Sequence, residues 1–432
     1  MHHFRYHGDE LFCEGVSIET LARRHGTPLY VYSQQTLTDN FRRLDEAWAG
    51  VRHLPCYAVK ANSNLAILRL MADLGSGFDV VSGGELLRVL AAGGPADRCV
   101  FAGVAKTEEE IVTALRAGIH CFNVESEQEL ERIDRLAGDL GCVAPVAIRV
   151  NPDVEAHTHA KITTGTYENK FGIPFDQVEE LYARAARRRN LWLRGVQMHI
   201  GSQLTRVQPF EDAVRKVAPL VQRLKDRYGL EFFDIGGGLG IVYEEALASG
   251  DPAWWQTPRG RRMLTPELHA ARLVPILKPL GLRVLLEPGR FITGNAGILV
   301  TRVEYIKKTG RKTFVIVDAA MTELIRPAFY DAHHEIVPVR RSKAAMVECD
   351  VVGGVCESGD YFCKDRPLPL PRPGDLLAIL SAGAYGSAMG SNYNTRPLAA
   401  EALVHKNRSA LIRQRQPVEA IWQWERPAPW QR

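Results

Sequence analysis

Phe232-Phe233-Asp234-Ile235-Gly236-Gly237-Gly238 decides the fold by where it falls in the chain. An apolar run ends in three consecutive glycines. Such a run lets backbone N–H groups approach an anion without interference from Cβ atoms. In an open doubly wound sheet the phosphate-binding glycines usually follow the first strand. Here six strand-like apolar runs come before this one, at 56–61, 78–82, 99–103, 121–125, 146–151 and 196–201, and one comes after it, at 283–287. A glycine turn after the seventh of eight strands is where (β/α)8 barrels often keep a phosphate site.

The intervals between these runs carry amphipathic helical patterns. Glu85 to Leu90 is one. Another runs from Phe210 to Tyr228, with Val214, Val217, Leu220, Val221 and Leu224 at helical spacing. Continuous apolar strands joined by helices imply a parallel sheet covered on its faces. Eight such units over roughly 230 residues approach the barrel's typical length of about 250. After Arg290 the texture changes to short β-type runs at 298–306, 313–317, 344–351, 376–380 and 396–404, separated by Gly and Pro. The expected fold is therefore α/β: a TIM-like (β/α)8 barrel over 35–293. Residues 1–34 and 294–432 are expected to form a mostly antiparallel β domain, sandwich- or barrel-like, that takes in the N-terminal strand Leu29-Tyr30-Val31-Tyr32.

The chain has 432 residues, 46% hydrophobic and 24% charged, which suits a globular protein of more than one domain. A formal net charge of +4, against 54 basic and 50 acidic side chains, gives no case for nucleic acid. The run Arg187-Arg188-Arg189 reads as a solvated helix end. None of the eight cysteines forms a CxxC pair, and most sit in apolar strand patterns, as reduced buried thiols do. No signal-peptide core and no membrane-length apolar run is present, so a cytoplasmic protein is expected.

The chemistry sits at the strand ends. Lys60 follows Tyr57-Ala58-Val59, His199 ends the sixth run, the triple glycine ends the seventh, and Glu287 ends the eighth. An amine, a flat imidazole, an anion-binding turn and a carboxylate on one rim suit pyridoxal 5'-phosphate. That cofactor needs an amine for its aldehyde, a surface for its ring, N–H groups for its phosphate and an anion for its pyridine nitrogen. Ser202 could donate to the phosphate. Cys356, in the loop Cys356-Glu357-Ser358-Gly359-Asp360, could give up a proton, and Tyr385 lies in a Gly-rich loop that could reach the cofactor. Taken singly, each residue has a plain reading. Lys60 could be a rim lysine, His199 a hydrogen-bonded core histidine, Glu287 a partner of Arg290, Arg326 half of a surface ion pair, and Cys356 a small buried hydrophobe. No metal is expected.

Together these segments resemble the fold type III pyridoxal-phosphate-dependent decarboxylases. The resemblance rests on YAVKAN at 57–62, FDVVSGGEL at 78–86, HTHAKITTG at 157–165, KFGI at 170–173, HIGSQ at 199–203, EPGR at 287–290, CESGD at 356–360 and GAYGSAMGSNYN at 383–394. It implies that Lys60 is the Schiff-base lysine and that His199 stacks on the cofactor ring. Ser202, Gly236, Gly237, Gly238, Gly289, Arg290 and Tyr385 would hold the cofactor, with Glu287 facing the ring nitrogen. Cys356 would come from the second subunit as proton donor, which makes a homodimer with shared active sites. The implied reaction is decarboxylation of meso-2,6-diaminopimelate to L-lysine, the last step of lysine biosynthesis.

Guanidinium groups suit the distal carboxylate of that small-molecule amino-acid substrate. Arg290, Arg326, Tyr330, Glu357 and Tyr385 are the expected substrate residues. Ornithine-type relatives resemble each other in carrying Asp after the cysteine, where this chain has Glu357. A related decarboxylase acting on carboxynorspermidine, ornithine or another diamine acid stays open. So does a non-catalytic relative that binds a partner protein, although such a chain would be expected to lose Lys60 or Cys356. The segment 157–165 is expected to be a lid loop, and Glu244 and Glu245 are expected in a helix after the glycine turn.

Overall fold

The structure, a computed structural model, describes residues 2–154, 170–245, 247 and 250–431. The expected lid at 157–165 lies outside the described residues. The chain divides into two compact units. One comprises Thr38–Ile241 and Thr257–Ile292; the other comprises Met1–Leu37, Val242–Gln256 and Thr293–Arg432.

The first unit is a closed barrel of eight parallel strands: β1 His53–Ala58, β2 Gly77–Val80, β3 Cys99–Phe101, β4 Cys121–Val124, β5 Ala144–Asn151, β6 Leu191–Met198, β7 Phe232–Asp234 and β8 Arg283–Leu286. Each strand pairs with its neighbours in sequence, and β8 pairs with β1 through Val284↔His53, Leu285↔Leu54 and Leu286↔Pro55, which closes the ring. The strands are mostly apolar because both their faces are covered, and the exceptions, Asp79, Asn123, Arg149, Gln197 and Asp234, are buried polar residues. Leu54, Cys56, Val100, Cys121, Ala147, Phe232 and Leu285 form one buried cluster drawn from six of the eight strands. Gly195 is glycine because a Cβ there would come within 2.4 Å of the Phe232 ring.

The helices start where polar caps follow the strands. Asn64 accepts from Ala66 N–H, Ser82 from Glu85 N–H and Ser126 from Glu129 N–H, and Thr107 forms a reciprocal capping box with Glu110. The two helical patterns named above form helices over Gly83–Ala91 and Gln208–Tyr228.

Several strands end earlier than the apolar runs suggested. The runs at 56–61, 196–201, 232–236 and 283–287 lose one to three residues at their C-terminal ends, because sheet pairing stops and the chain turns. Lys60 therefore lies in a single 3₁₀ turn, Val59–Ala61, rather than on a strand. Glu244 and Glu245 lie in bends, not in a helix.

In the second unit a nine-stranded sheet is mostly antiparallel. Its long strand, Gly297–Thr309, pairs antiparallel with Lys312–Val317, Leu376–Ile379 and Leu29–Ser33. The N-terminal strand thus joins this sheet, and it also pairs parallel with Ala400–His405. Strands Tyr361–Pro369 and Arg408–Arg413 were not legible in the sequence. The first carries Pro367 and Pro369, which read as loop. It is an edge strand, where a missing N–H need not face a neighbour. Among the described residues no helix is long and apolar enough to cross a membrane.

Candidate active site

At the C-terminal mouth of the barrel the turn after β1 presents Lys60. The Tyr57 hydroxyl donates to the Asn62 carbonyl at 2.9 Å and closes that turn. The Ala58 N–H donates to Pro288 O at 2.9 Å and ties the turn to the segment after β8. The Lys60 amine donates to Asp79, a fully buried aspartate on β2 whose other oxygen has no hydrogen-bond partner.

His199 follows β6 directly. Its Nδ1 accepts from the Gly237 N–H at 3.1 Å, which leaves the proton of the neutral ring on Nε2. Burial, then the positive charges of Arg149 and Lys60, hold the imidazole well below its usual range, so it is neutral at physiological pH. Arg149 itself is buried and paired with Glu125 at 2.7 Å.

The three glycines are required by packing. A Cβ at Gly236 would meet Met198 O at 2.4 Å, one at Gly237 would meet Glu287 O at 2.1 Å, and one at Gly238 would meet Gly201 O at 2.5 Å. Gly236 and Gly238 also have φ of +72° and +110°, where a side chain is strained. Next to this turn, Arg290 is buried and donates to the Ser202 hydroxyl at 3.1 Å.

Glu287 forms the floor. Gln197 of β6 donates to its two oxygens at 3.2 and 3.4 Å, and Asn123 of β4 donates at 3.4 Å. Burial raises its proton affinity well above the carboxylate range, and the charges of Asp234 and Asp79 add to this. Burial likewise pushes Asp234 up to about 7, against the pull of the Gly236 N–H, which it accepts at 2.9 Å. Two buried carboxyl groups this close share a proton rather than both ionise.

The chain matches the family described as pyridoxal-dependent decarboxylase, pyridoxal binding domain, over residues 34–294. The chain belongs to the pyridoxal-dependent decarboxylases. A diaminopimelate decarboxylase of Pseudomonas aeruginosa is 49% identical over 99% of both chains. One from Vibrio cholerae is 47% identical over 99% of this chain and 100% of its own. The crystal structure of the Helicobacter pylori diaminopimelate decarboxylase complexed with L-lysine superposes with a TM-score of 0.87 at 41% identity, covering 94% of this chain and 98% of that one.

Membership of this family asks whether the mouth fits a pyridoxal group, and it does. Lys60 supplies an amine, neutral His199 a flat face, and the glycine turn a backbone with no side chain to hold a ligand off. On the floor, Asp79 Oδ1, Asp234 Oδ2, Asn123 Oδ1 and Gln197 Oε1 are buried acceptors with no donor. Such a surface suits a cationic N–H, as on a protonated pyridine ring.

The remaining expected residues of this decarboxylase lie in the second unit. Cys356 is the one exposed thiol among the eight cysteines; six are buried and Cys142 is partly covered. Its loop is held by Asp360, a buried aspartate that accepts from Met321 N–H at 2.6 Å and Val355 N–H at 2.7 Å. The Cys356 N–H donates to Asn394 at 2.9 Å. Glu357 is exposed beside it. Tyr385 has φ of +54°, an unusual conformation for a tyrosine, between Gly383, where a Cβ would meet Thr293 O at 1.9 Å, and Gly386. Arg326 and Tyr330 open and close a short helix; Arg326 is buried, and Tyr330 packs edge-on against Phe329.

Sequence reasoning missed Asp79, Asn123, Gln197 and Arg149 as parts of the site, and gave the carboxyl of Asp234 no role of its own. Each is a polar residue inside an otherwise apolar barrel strand. That mismatch was the available signal, because a buried polar group demands a partner.

Proposed function

We propose that this chain is a pyridoxal 5'-phosphate-dependent decarboxylase that converts meso-2,6-diaminopimelate to L-lysine and carbon dioxide, the last step of lysine biosynthesis, in the cytoplasm. The observation that carries the reading is the convergence of Lys60, neutral His199, the Gly236–Gly238 cradle and Glu287 on one barrel mouth. Full-length similarity to diaminopimelate decarboxylases supports the choice of substrate.

The cofactor, when bound, would supply an electron sink for the pair left behind by departing carbon dioxide. Lys60 would hold its aldehyde. His199 would lie against the ring, its plane set by the Gly237 N–H. Glu287 would keep a proton on the ring nitrogen. The turn of Gly236, Gly237 and Gly238, with Gly289, Ser202, Arg290 and Tyr385, would border the phosphate; the Gly236 and Gly237 N–H groups already go to Asp234 and His199, so these two would shape the turn rather than donate to the ligand. We assign Arg290, Arg326, Tyr330, Glu357 and Tyr385 to the substrate. The arginines answer its distal carboxylate, and Glu357 answers its distal ammonium. Cys356 would return a proton to Cα, contributed by a second copy of the chain in a homodimer; its exposure is consistent with that role. The pyridoxal-binding domain is taken as 35–293, with 1–34 and 294–432 forming the β domain.

The test is to add meso-diaminopimelate, ornithine and carboxynorspermidine separately to the cofactor-loaded protein and measure carbon dioxide and the amine product. Lysine from meso-diaminopimelate is the expected result. Turnover of ornithine with none of meso-diaminopimelate would defeat the substrate assignment.

A further inference from the structure

The substrate assignment leaves open what holds Arg326 ready for a carboxylate. Arg326 is 6% exposed, at the first position of a five-residue helix. A flexible side chain gives little discrimination unless its rotamer is set in advance.

His334, eight residues on, is fully buried. Its Nδ1 lies 2.8 Å from the Leu380 carbonyl oxygen. A carbonyl oxygen only accepts, so Nδ1 carries the proton, and Nε2 of the neutral ring is a bare acceptor. Arg326 Nη1 lies 2.8 Å from that Nε2 and donates to it. The peptide carbonyl of Leu380 thus selects the tautomer that can receive a guanidinium. Arg366 donates to the backbone carbonyl of His334 itself and fixes the imidazole's own position.

Tyr243 completes the arrangement. The Arg326 guanidinium carbon sits 4.7 Å from the centre of its ring, and the His334 ring meets the same tyrosine edge-on at 5.2 Å and 78°. A guanidinium over an aromatic face is held parallel to it by the ring quadrupole. The hydrogen bond fixes one nitrogen, and the aromatic face fixes the plane.

We propose that His334 and Tyr243 are positioning residues that clamp the Arg326 guanidinium for the distal carboxylate of the substrate, and so set the preference for a diamino acid that carries one. This rests on Arg326 being a substrate residue. A diamine acid lacking that group would gain nothing from the clamp.

Calorimetric titration of the cofactor-loaded protein with L-lysine, which keeps the distal carboxylate, and with cadaverine, which lacks it, separates the possibilities. His334→Asn keeps a donor for Leu380 but cannot reach Arg326. It should weaken L-lysine by roughly tenfold or more and leave cadaverine within about twofold. His334→Gln, which returns an acceptor near the Nε2 position, should recover part of the loss. Tyr243→Leu should weaken L-lysine alone by a smaller factor, about three- to fivefold. KM for meso-diaminopimelate should rise in parallel while kcat changes little.

Arg326→Ala is the control for the underlying assignment. If it weakens L-lysine but neither His334→Asn nor Tyr243→Leu does, the clamp is wrong and the substrate assignment stands. If Arg326→Ala changes nothing, the assignment of Arg326 falls and the clamp with it. Equal loss of both ligands in His334→Asn would make His334 a general architectural residue and overturn the proposal. Should His334→Asn fail to fold, an unchanged L-lysine to cadaverine ratio in Tyr243→Leu overturns it too.

Discussion

The barrel mouth and the Cys356 loop place reactive groups by opposite means. Glu287, Asp234 and Asp79 are buried and His199 is largely covered beside them, and burial moves the proton affinities of Glu287, Asp234 and His199 far from the ordinary. Cys356 and Glu357 face solvent, and only the backbone beneath them is pinned, by Asp360 and Asn394. The first region tunes its chemistry through desolvation; the second only delivers a side chain to a place. A substitution on the floor should therefore change proton affinities and stability together with rate. One in the loop should change rate alone, unless it removes the pin.

Lys60→Ala should give the largest effect. Carbon dioxide release from meso-diaminopimelate should fall at least ~1000-fold, and borohydride treatment should no longer leave cofactor on the protein by mass spectrometry. Retained activity would remove the barrel mouth from the chemistry.

Glu287→Gln comes next. kcat should fall by a few hundredfold, on the order seen when a preorganised charge is removed. The cofactor-free protein should melt higher than the parent, because a buried acid competing with Asp234 for one proton has gone. A drop of many degrees would mean that the glutamate serves the fold instead.

Cys356→Ala should lower kcat about a hundredfold while unfolding free energy stays within ~0.5 kcal/mol, as for an exposed side chain. That pairing of a large kinetic loss with a silent melt is the sharpest contrast with Glu287→Gln.

Asp360→Ala should blur the contrast. It strands the Met321 and Val355 N–H groups, at about 1–3 kcal/mol each in a dry site. Both the melting temperature and kcat should fall, and restoring Cys356 chemistry by added thiol should not recover activity.

The smallest effect is a pH response inside the barrel. His269 is fully buried between Trp48 and Phe210, with neither ring nitrogen partnered, and burial lowers it to about 3. Its folded value lies below its unfolded value of 6.5. Its contribution is therefore intact above pH 6.5 and is lost as pH falls toward 3, where the unfolded chain binds the extra proton. His269→Phe should accordingly gain roughly 3 kcal/mol over the parent at pH 4 relative to pH 8, read from urea unfolding at the two pH values. Equal effects at both pH values would show that the imidazole is solvated.

The eight β/α units and the glycine turn after the seventh strand were legible because apolar runs alternate with helical patterns, and Lys60, His199 and Glu287 do follow the barrel strands whose apolar runs they end. The strand ends were less legible. Apolar residues continue past the last ladder pair into turns such as Val59–Ala61, and only backbone pairing shows where the ladder stops. Strand Tyr361–Pro369 was hidden by prolines that an edge position tolerates.

Chain order and residue type alone determined which chemical groups this protein owns and which strand end each occupies, because burial patterns and turn residues are local properties. Tertiary structure alone decided which groups meet. Asn123 and Glu287 lie 164 residues apart, and Gln197 and Glu287 lie 90 apart. Closure of the ring between β8 and β1 brings such residues to one dry floor. The raised proton affinities there follow from that removal from water, and the tautomer of His199, like the hold of His334 on Arg326 in the other unit, follows from an amide or carbonyl distant in sequence, which no local stretch encodes.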